Sequence, residues 1–417
     1  MFPAFSIGLS ALSADSTAID VVGNNLANLN TTGYKATNVD FQDLMSQSLG
    51  VGANAAQTGM GVGQLGTVGS YTQGTLTTTN GPTDAAIEGD GFFIVKDASG
   101  QTLYRRDGSF QVDGSGNVVT ATGENVQGWS AVNGTVNPSG PVGNLSIPIG
   151  TMVPSTATTT MNLKVNLNST VATTDTGASF SAPIQVFDSQ GVSHNLSVNF
   201  TKTGANAWNY AVTIPAADLT TGGTTTLSSG TMTFDASGNL KTPDAKSDPQ
   251  IVKVAGLADG AADMSINWNL FDSGGNSTIT QYAEASSVGS TTQNGATAGQ
   301  ITKVGLQTGG LLVANYSNGQ QATIGQLALA SIPNPESLTS VGDNNLQASA
   351  ATGTISVGAA STGGRGQVVA GSLESSNVDM ATQFTNLLTY ERSYQAASRV
   401  ITTADQLLQE TVNLIHP

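Results

Sequence analysis

Apolar residues recur every seven positions at both ends of this chain, which restricts those ends to long amphipathic helices that must find an apolar partner. Near the N-terminus Phe5, Leu12, Ile19 and Leu26 form the column, with Leu9, Val22 and Leu29 beside it and no proline after Pro3. At the other end Met380, Leu387, Tyr394, Ile401, Leu408 and Ile415 run unbroken, flanked by Val400, Leu407 and Leu414 on one side and by Phe384 and Ala404 on the other. Asn377 and Asp379 precede this column as capping candidates, and Pro417 follows it. One apolar stripe does not offset the conformational entropy of so long a helix, and isolated helices are marginal in water. The pattern leaves two outcomes open. The helices close a globular fold as an intramolecular pair, or they pair as a coiled coil that orders fully only against neighbouring copies.

Between the ends the signal is β. Short alternating runs such as Gly91 to Val95, Phe110 to Val112, Ile184 to Phe187, Leu196 to Phe200, Trp208 to Ile214, Met264 to Leu270 and Leu311 to Tyr316 are separated by Gly, Asp, Asn and Ser clusters. One punctuation mark recurs as Asp97-Ala98-Ser99-Gly100, Asp113-Gly114-Ser115-Gly116, Asp188-Ser189-Gln190-Gly191, Asp235-Ala236-Ser237-Gly238 and Asp272-Ser273-Gly274-Gly275. Each fits a type I turn closed by a left-handed glycine, so hairpins are expected at all five.

Three stretches read as boundaries. Leu49 to Pro82 is rich in Gly, Thr and Asn and reads as an extended connector; Val142 to Thr160 leads into a second β region, and Ser286 to Gly299 leads out of it. The expected fold class is mixed but mainly β, with two nested β-rich domains, one inserted in the other, and terminal helices pairing as a coiled coil. The layout is then an N-terminal helix over 1–30, a connector over 31–75, the first half of an inner β domain over 76–147, an inserted outer β domain over 148–286, the second half of the inner domain with a return connector over 287–370, and a C-terminal helix over 371–417.

Composition removes several functions. With 13 Lys and Arg against 28 Asp and Glu the net charge is −15, and no basic patch is present to neutralise a phosphate backbone, so nucleic acid is not an expected partner. There is no Cys, which excludes disulfides and thiolate metal sites. The start lacks the basic and apolar regions of a cleaved signal peptide, and no stretch of about 18 apolar residues offers a bilayer span, so membrane insertion is not expected.

Catalytic patterns fail on inspection. The two histidines, His194 in an expected strand and His416 next to the end, accompany no Ser or Cys motif. Gly61-Val62-Gly63-Gln64-Leu65-Gly66 matches a dinucleotide fingerprint in letters only, since neither a buried strand before it nor a helix after it is indicated. Asp113, Ser115, Asn117 and Glu124 mimic part of a calcium loop, but Val118 stands where that loop needs glycine, and a hairpin turn is the better account. No catalytic residue, metal or cofactor is expected, and the chain is read as a non-enzyme.

Three stretches resemble the flagellar rod and hook family. The first is Ile19-Asp20-Val21-Val22-Gly23-Asn24-Asn25-Leu26-Ala27-Asn28 with Thr32-Gly33-Tyr34-Lys35; the second runs from Gly74-Thr75-Leu76 through Ala85-Ala86-Ile87-Glu88-Gly89-Asp90-Gly91-Phe92-Phe93 and continues as Tyr104-Arg105-Arg106-Asp107-Gly108-Ser109-Phe110. The third is Gly371-Ser372-Leu373-Glu374-Ser375-Ser376-Asn377-Val378-Asp379. Val186-Phe187-Asp188-Ser189-Gln190-Gly191, with Trp208 downstream, is similar to the outer domain of the hook branch, and so large an insertion favours hook over distal rod.

The resemblance implies a structural subunit that polymerises into a flexible helical tube and carries torque from motor and rod to filament. It implies Phe5, Leu9, Leu12, Ile19, Val22, Leu26, Met380, Phe384, Leu387, Tyr394, Ile401, Leu408 and Ile415 as coiled-coil residues. Its implied partners are other copies of itself, rod proteins at the proximal end, a hook cap during assembly and hook–filament junction proteins at the distal end. The implied location is the extracellular hook, reached through the flagellar type III export apparatus without a cleaved signal. Phe5 and Leu9 are similar to the Phe and aliphatic pattern read by that apparatus, although their spacing is also ordinary for a helix. The competing readings are a distal-rod or junction subunit and, from another class, a secreted β-rich carbohydrate-binding protein, which needs a concave site with aromatics or convergent carboxylates.

Overall fold

The computed structural model describes residues 3–44, 47–49, 56–132 and 134–415, so His416 lies outside the described residues. Helix α1 (Pro3–Ala27) and helix α2 (Met380–Ile415) stand at the two ends, and short strands fill the sequence between them. Pro3 opens α1, where its missing N–H removes no helical hydrogen bond. Asp379 caps α2, its Oδ1 accepting the Thr382 N–H at 2.7 Å.

By length and composition α1 is apolar enough to cross a bilayer, which corrects the expectation that no stretch of the chain is. Its large apolar residues are interspersed with alanine, and its charged residues are Asp15 and Asp20. The feature is weak evidence for a membrane, because α1 buries Asp15 and Asn25 and packs along α2.

The chain divides into two units. One comprises Met1–Ile149, Lys303–Ala314 and Ala322–Pro417, and the other comprises Gly150–Thr302 with Asn315–Gln321, so the second is nested in the sequence of the first.

In the first unit the outgoing and returning chains are hydrogen-bonded to one another. Leu76–Thr78 lies antiparallel to Ser372–Glu374, and Ala85–Glu88 to Gln367–Ala370. Beyond them the strands Asn125–Ser130, Phe92–Lys96, Thr102–Arg105 and Asn345–Gln347 lie side by side. Phe92, Ile94, Tyr104, Trp129, Ala330 and Leu338 pack on one face of this sheet, while Phe93 turns to the other and meets Phe110 edge-on at 5.1 Å. The segment read as an extended connector has more structure than its Gly and Thr content suggests. Thr37–Asp43 and Val62–Gly69 form an antiparallel ladder with a bulge at Asp40/Phe41, and the ladder packs on α1. The glycine pattern from Gly61 to Gly66 opens the second strand of that ladder, with no helix after it.

The second unit is a sandwich. Thr160–Asn168, Gln250–Val254, Met264–Asn269, Ile279–Tyr282 and Ser287–Gln293 form one sheet; Ser179–Phe187, Ser193–Gly204, Ala207–Thr213, Thr226–Phe234 and Leu240–Thr242 form an antiparallel second. Every other residue points inward, as the two-residue period requires: Met161, Leu163, Val165 and Leu167 from one sheet, and Leu196, Val198, Phe200, Trp208, Tyr210 and Val212 from the other. Trp268 meets Tyr210 edge-on at 5.4 Å in this core.

All five Asp-x-x-Gly turns form, with positive φ at Gly100, Gly116, Gly191, Gly238 and Gly275. In each, one aspartate oxygen accepts the amides two and four residues on, as Asp235 Oδ1 does from Ser237 at 2.8 Å and Asn239 at 2.9 Å. Four of the turns join antiparallel neighbours. The Asp272 turn does not, contrary to the hairpin expectation. Met264–Asn269 and Ile279–Tyr282 both run parallel to Thr160–Asn168 along one edge, and the turn is an excursion between them closed by the single Phe271–Ser277 bridge. Turn chemistry sets a local reversal; it does not select the strand that each arm then pairs with.

Candidate assembly site

The face that joins α1 to α2 is built from small and polar residues. On α1 the buried positions are Gly8, Ala14, Asp15, Ala18, Val22 and Asn25; on α2 they are Gln383 and Ala397. Steps of three, four and seven residues connect most of them, so they form a coiled-coil seam without large side chains. Gly8 shows why. A Cβ at that position would lie 2.8 Å from Ile401 Cγ1, and only glycine lets the helices approach so closely.

Asn25 fixes the register of the pair. Its Nδ2 donates to Gln383 Oε1 at 3.2 Å and to the Thr37 carbonyl at 2.8 Å, while its Oδ1 accepts the Thr37 N–H at 2.9 Å and the Tyr34 hydroxyl at 3.2 Å. Of these bonds the one to Gln383 crosses to α2, and a one-turn slip would leave the buried Gln383 carbonyl without it, which costs more than the bond itself contributes.

The large residues of the expected columns are distributed differently. Val22 is buried, and Phe5, Leu12, Ile19, Leu26, Leu387, Ile401 and Leu408 are half-buried. Leu9 is 55% exposed, Met380 and Phe384 49% each and Tyr394 41%. Leu388, Leu407 and Val412 add 55%, 64% and 55%. The side chain of Ile415 lies outside the described residues. Small residues thus form the intramolecular seam, and large apolar side chains stay 41–64% exposed around the helix pair. Counting large apolar residues missed the seam; its sequence signal is the spacing of Gly8, Asp15, Ala18, Val22 and Asn25.

Behind the helix pair a buried carboxylate gathers segments from across the chain. Glu374 is fully buried; its Oε1 accepts from Lys35 Nζ at 2.6 Å and from the Gly74 N–H at 2.8 Å, and its Oε2 lies 3.5 Å from the Arg106 guanidinium. The Gly33 N–H donates to the Glu374 carbonyl at 2.7 Å. Gly33 itself has φ +69°, and a Cβ there would sit 2.5 Å from the Asp107 nitrogen, so the turn after α1 rests directly on the Arg105–Arg106–Asp107 loop. Arg106 also lies over the Phe92 ring at 5.1 Å. Burial pushes the Lys35 amine and the Arg106 guanidinium down from their ordinary values, and Glu374 opposes both shifts. Asn377 completes the junction, accepting the Ala36 N–H at 2.7 Å and donating to the Ser70 and Thr72 carbonyls at 2.8 and 3.1 Å. It ties the connector to the start of α2 and leaves the capping to Asp379.

The other motifs resolve as structural contacts. Asp113 serves its own turn, and Glu124 accepts from Thr120 and Thr122 within its hairpin and from Asn345 at 2.8 Å. His194 lies in Ser193–Gly204 as expected, and three aspartates from separate connections surround it: Asp188, Asp218 and Asp259. Trp129, Trp208 and Trp268 are all buried, so none offers a face to a sugar.

Known families and proteins match this chain along its length. Four family profiles fall in order: "Flagella basal body rod protein" over residues 5–35, "Flagellar hook protein FlgE/F/G D1 domain" over 86–186, "Flagellar basal body protein FlaE D2 domain" over 166–296 and "Flagellar basal body rod FlgEFG protein C-terminal" over 369–414. The flagellar hook protein FlgE of Escherichia coli K12 is 34% identical, with 99% of this chain and 100% of that protein aligned. FlgE of Treponema pallidum is 33% identical over 98% of each. The crystal structure of Helicobacter pylori flagellar hook protein FlgE2 superposes with a TM-score of 0.50 at 13% identity, covering 70% of this chain and 99% of that one, a likeness of fold.

Proposed function

This chain belongs to the flagellar hook protein FlgE family, and from that premise we propose that its helix pair is the element through which copies join into the hook tube. It is a structural subunit of the bacterial flagellar hook, an extracellular appendage that it forms by self-assembly, and not a rod, junction or carbohydrate-binding protein. The exposed apolar side chains of the helix pair carry the reading. Leu9, Met380, Phe384, Leu388, Tyr394, Leu407 and Val412 stay 41–64% exposed within one chain, and neighbouring copies cover them in a repeating head-to-tail contact, the kind that builds an open helical tube.

In this reading the helices make a stiff inner wall that carries torque. The two β units form the outer layers, where low-charge surfaces rich in Gly, Ser and Thr let contacts shift as each subunit passes from the inside to the outside of the bend. Rod proteins meet the tube at its base, a hook cap guides its growth, and junction proteins follow at its tip. Export runs through the flagellar type III apparatus, with Phe5 and Leu9 in the recognised segment. The role is structural, and no catalytic step is assigned to any residue.

Electron microscopy of the purified chain tests this. The wild type is expected to give curved tubes, and the Leu387→Asp/Ile401→Asp chain none, with the β signal of its circular dichroism retained. Tubes of ordinary length from the double variant would refute the role of the helices.

A further inference from the structure

We propose that His194, Asp188 and Asp259 form a zinc-class metal site in the second unit, with Asp218 orienting the imidazole. His194 is 4% exposed and Asp188 fully buried. His194 Nε2 lies 3.1 Å from Asp188 Oδ2 and 3.5 Å from Asp259 Oδ2, and the three ligand atoms all fall within 4.8 Å of one another. A cation about 2.0–2.1 Å from each of three tetrahedral ligands sets those ligands roughly 3.3 Å apart, close to the spacing seen.

The atoms around the cluster are arranged for this task. Asp188 uses Oδ1 to accept the Gln190 and Val192 amides at 2.8 and 2.9 Å, and Asp259 uses Oδ1 to accept the Ala261 amide at 2.9 Å. Each aspartate thereby has one oxygen fixed by backbone and the other, Oδ2, aimed at the same imidazole nitrogen. On the far side of the ring the buried Nδ1 makes no hydrogen bond, yet Asp218 Oδ2 stands 3.4 Å away. A ligand histidine commonly directs its second N–H at such a carboxylate, which keeps the lone pair of the coordinating nitrogen free. Here the Nε2 lone pair coordinates, and the ring proton sits on Nδ1 facing Asp218.

Charge points the same way. Three carboxylates surround one imidazole, and among the described residues no Lys or Arg forms an ion pair with any of them. A protonated histidine supplies one positive charge, whereas a divalent cation supplies two at the point where the oxygens converge. One nitrogen and two carboxylate oxygens in a small cluster suit zinc; calcium takes six to eight oxygens, and magnesium an octahedron of oxygens. The bound ion would pin the Asp188 turn and the Asp259 loop to His194, and Asp218 would tie the Ala216–Asp218 turn to them through the imidazole ring. Backbone bonds already link them, as the Ala258 N–H donates to the Asp218 carbonyl at 2.9 Å.

The full-length chain, monomeric and stripped with EDTA, is titrated with Co2+ while visible absorption is followed, and with Zn2+ by calorimetry. One equivalent of each is expected to bind, with a cobalt band of tetrahedral intensity that Zn2+ abolishes. His416 is the only other histidine, and His416→Gln is expected to bind as the wild type does. Asp218→Asn weakens Zn2+ binding by about 10–100-fold, the usual effect of losing such an outer partner. Asp259→Asn abolishes the cobalt band while its circular dichroism in EDTA matches the wild type. No saturable cobalt band in the wild type would overturn the proposal, as would undiminished Zn2+ binding by Asp259→Asn. If Asp259→Asn fails to fold, the wild-type and His416→Gln titrations decide alone.

Discussion

Lys35 and Glu374 are 339 positions apart in sequence, and their charged atoms are 2.6 Å apart. One residue follows α1 and the other precedes α2, so their contact closes the base of the helix pair. Arg106 reaches the same carboxylate from the first β sheet. A single buried anion thus holds the two chain ends to the domain that carries them.

Glu374→Gln is expected to lower the stability of the first unit by about 3–5 kcal/mol, because it leaves two buried cations without their partner. Urea denaturation followed by a probe in each unit checks this. The first unit's transition shifts and the second unit's does not; an unchanged first transition would contradict the role of the cluster.

Gly8→Val places a branched side chain where Ile401 Cγ1 already lies 2.8 Å from the Cβ position. Protease resistance of α1 and α2 is expected to fall, and Ile401→Ala on the Gly8→Val background to recover part of it. Additive effects of the two substitutions would show that the helices do not meet at this point.

Acid is expected to loosen the Asp-x-x-Gly turns. The Asp97 and Asp113 carboxyls are held below the ordinary range chiefly by the side chains of Ser99 and Asn117, and those of Asp235 and Asp272 by the backbone amides of Asn239 and Asn276. A value depressed in the folded state stabilises fully above the unfolded carboxylate range, about pH 4, and is lost as pH falls through the folded value. The urea midpoint therefore drops on acidification, and Asp235→Asn/Asp272→Asn makes that drop shallower. An identical slope in wild type and variant would count against the turns.

Trp208→Ala is expected to cost about 3–5 kcal/mol in the second unit. The indole is fully buried, donates to Gln281 at 2.7 Å and lies 5.8 Å beneath Lys202 Nζ, which itself donates to the Ser169 and Val171 carbonyls. Chemical denaturation measures the loss, and a change below about 1 kcal/mol would show that the core closes around the gap.

The sequence reveals most where the physics is local. Asp-x-x-Gly turns and alternating strands are legible because a turn needs only its own four residues and a strand only its own period. The heptad ends are legible as helices, but their seam is not. Leu387 and Ile401 stand out as apolar, whereas Gly8, Asp15, Asn25 and Gln383 lie at the contact because closeness and paired polar groups matter there more than bulk. Contacts across hundreds of residues leave no periodic trace, so the motifs around Gly33, Arg106 and Glu374 appear as three separate resemblances until the fold brings them together. His194 is similar: the aspartates facing it come from three different connections.

The central claim is that the exposed apolar side chains of α2 join one copy to the next, and electron micrographs of a purified Leu388→Ser/Leu407→Ser chain test it most directly. Both side chains are more than half exposed, so helix content and the urea transition of the single chain are expected to stay at wild-type values. The account predicts that this chain remains monomeric under conditions where the wild type forms curved tubes. Tubes at wild-type yield and length would contradict it.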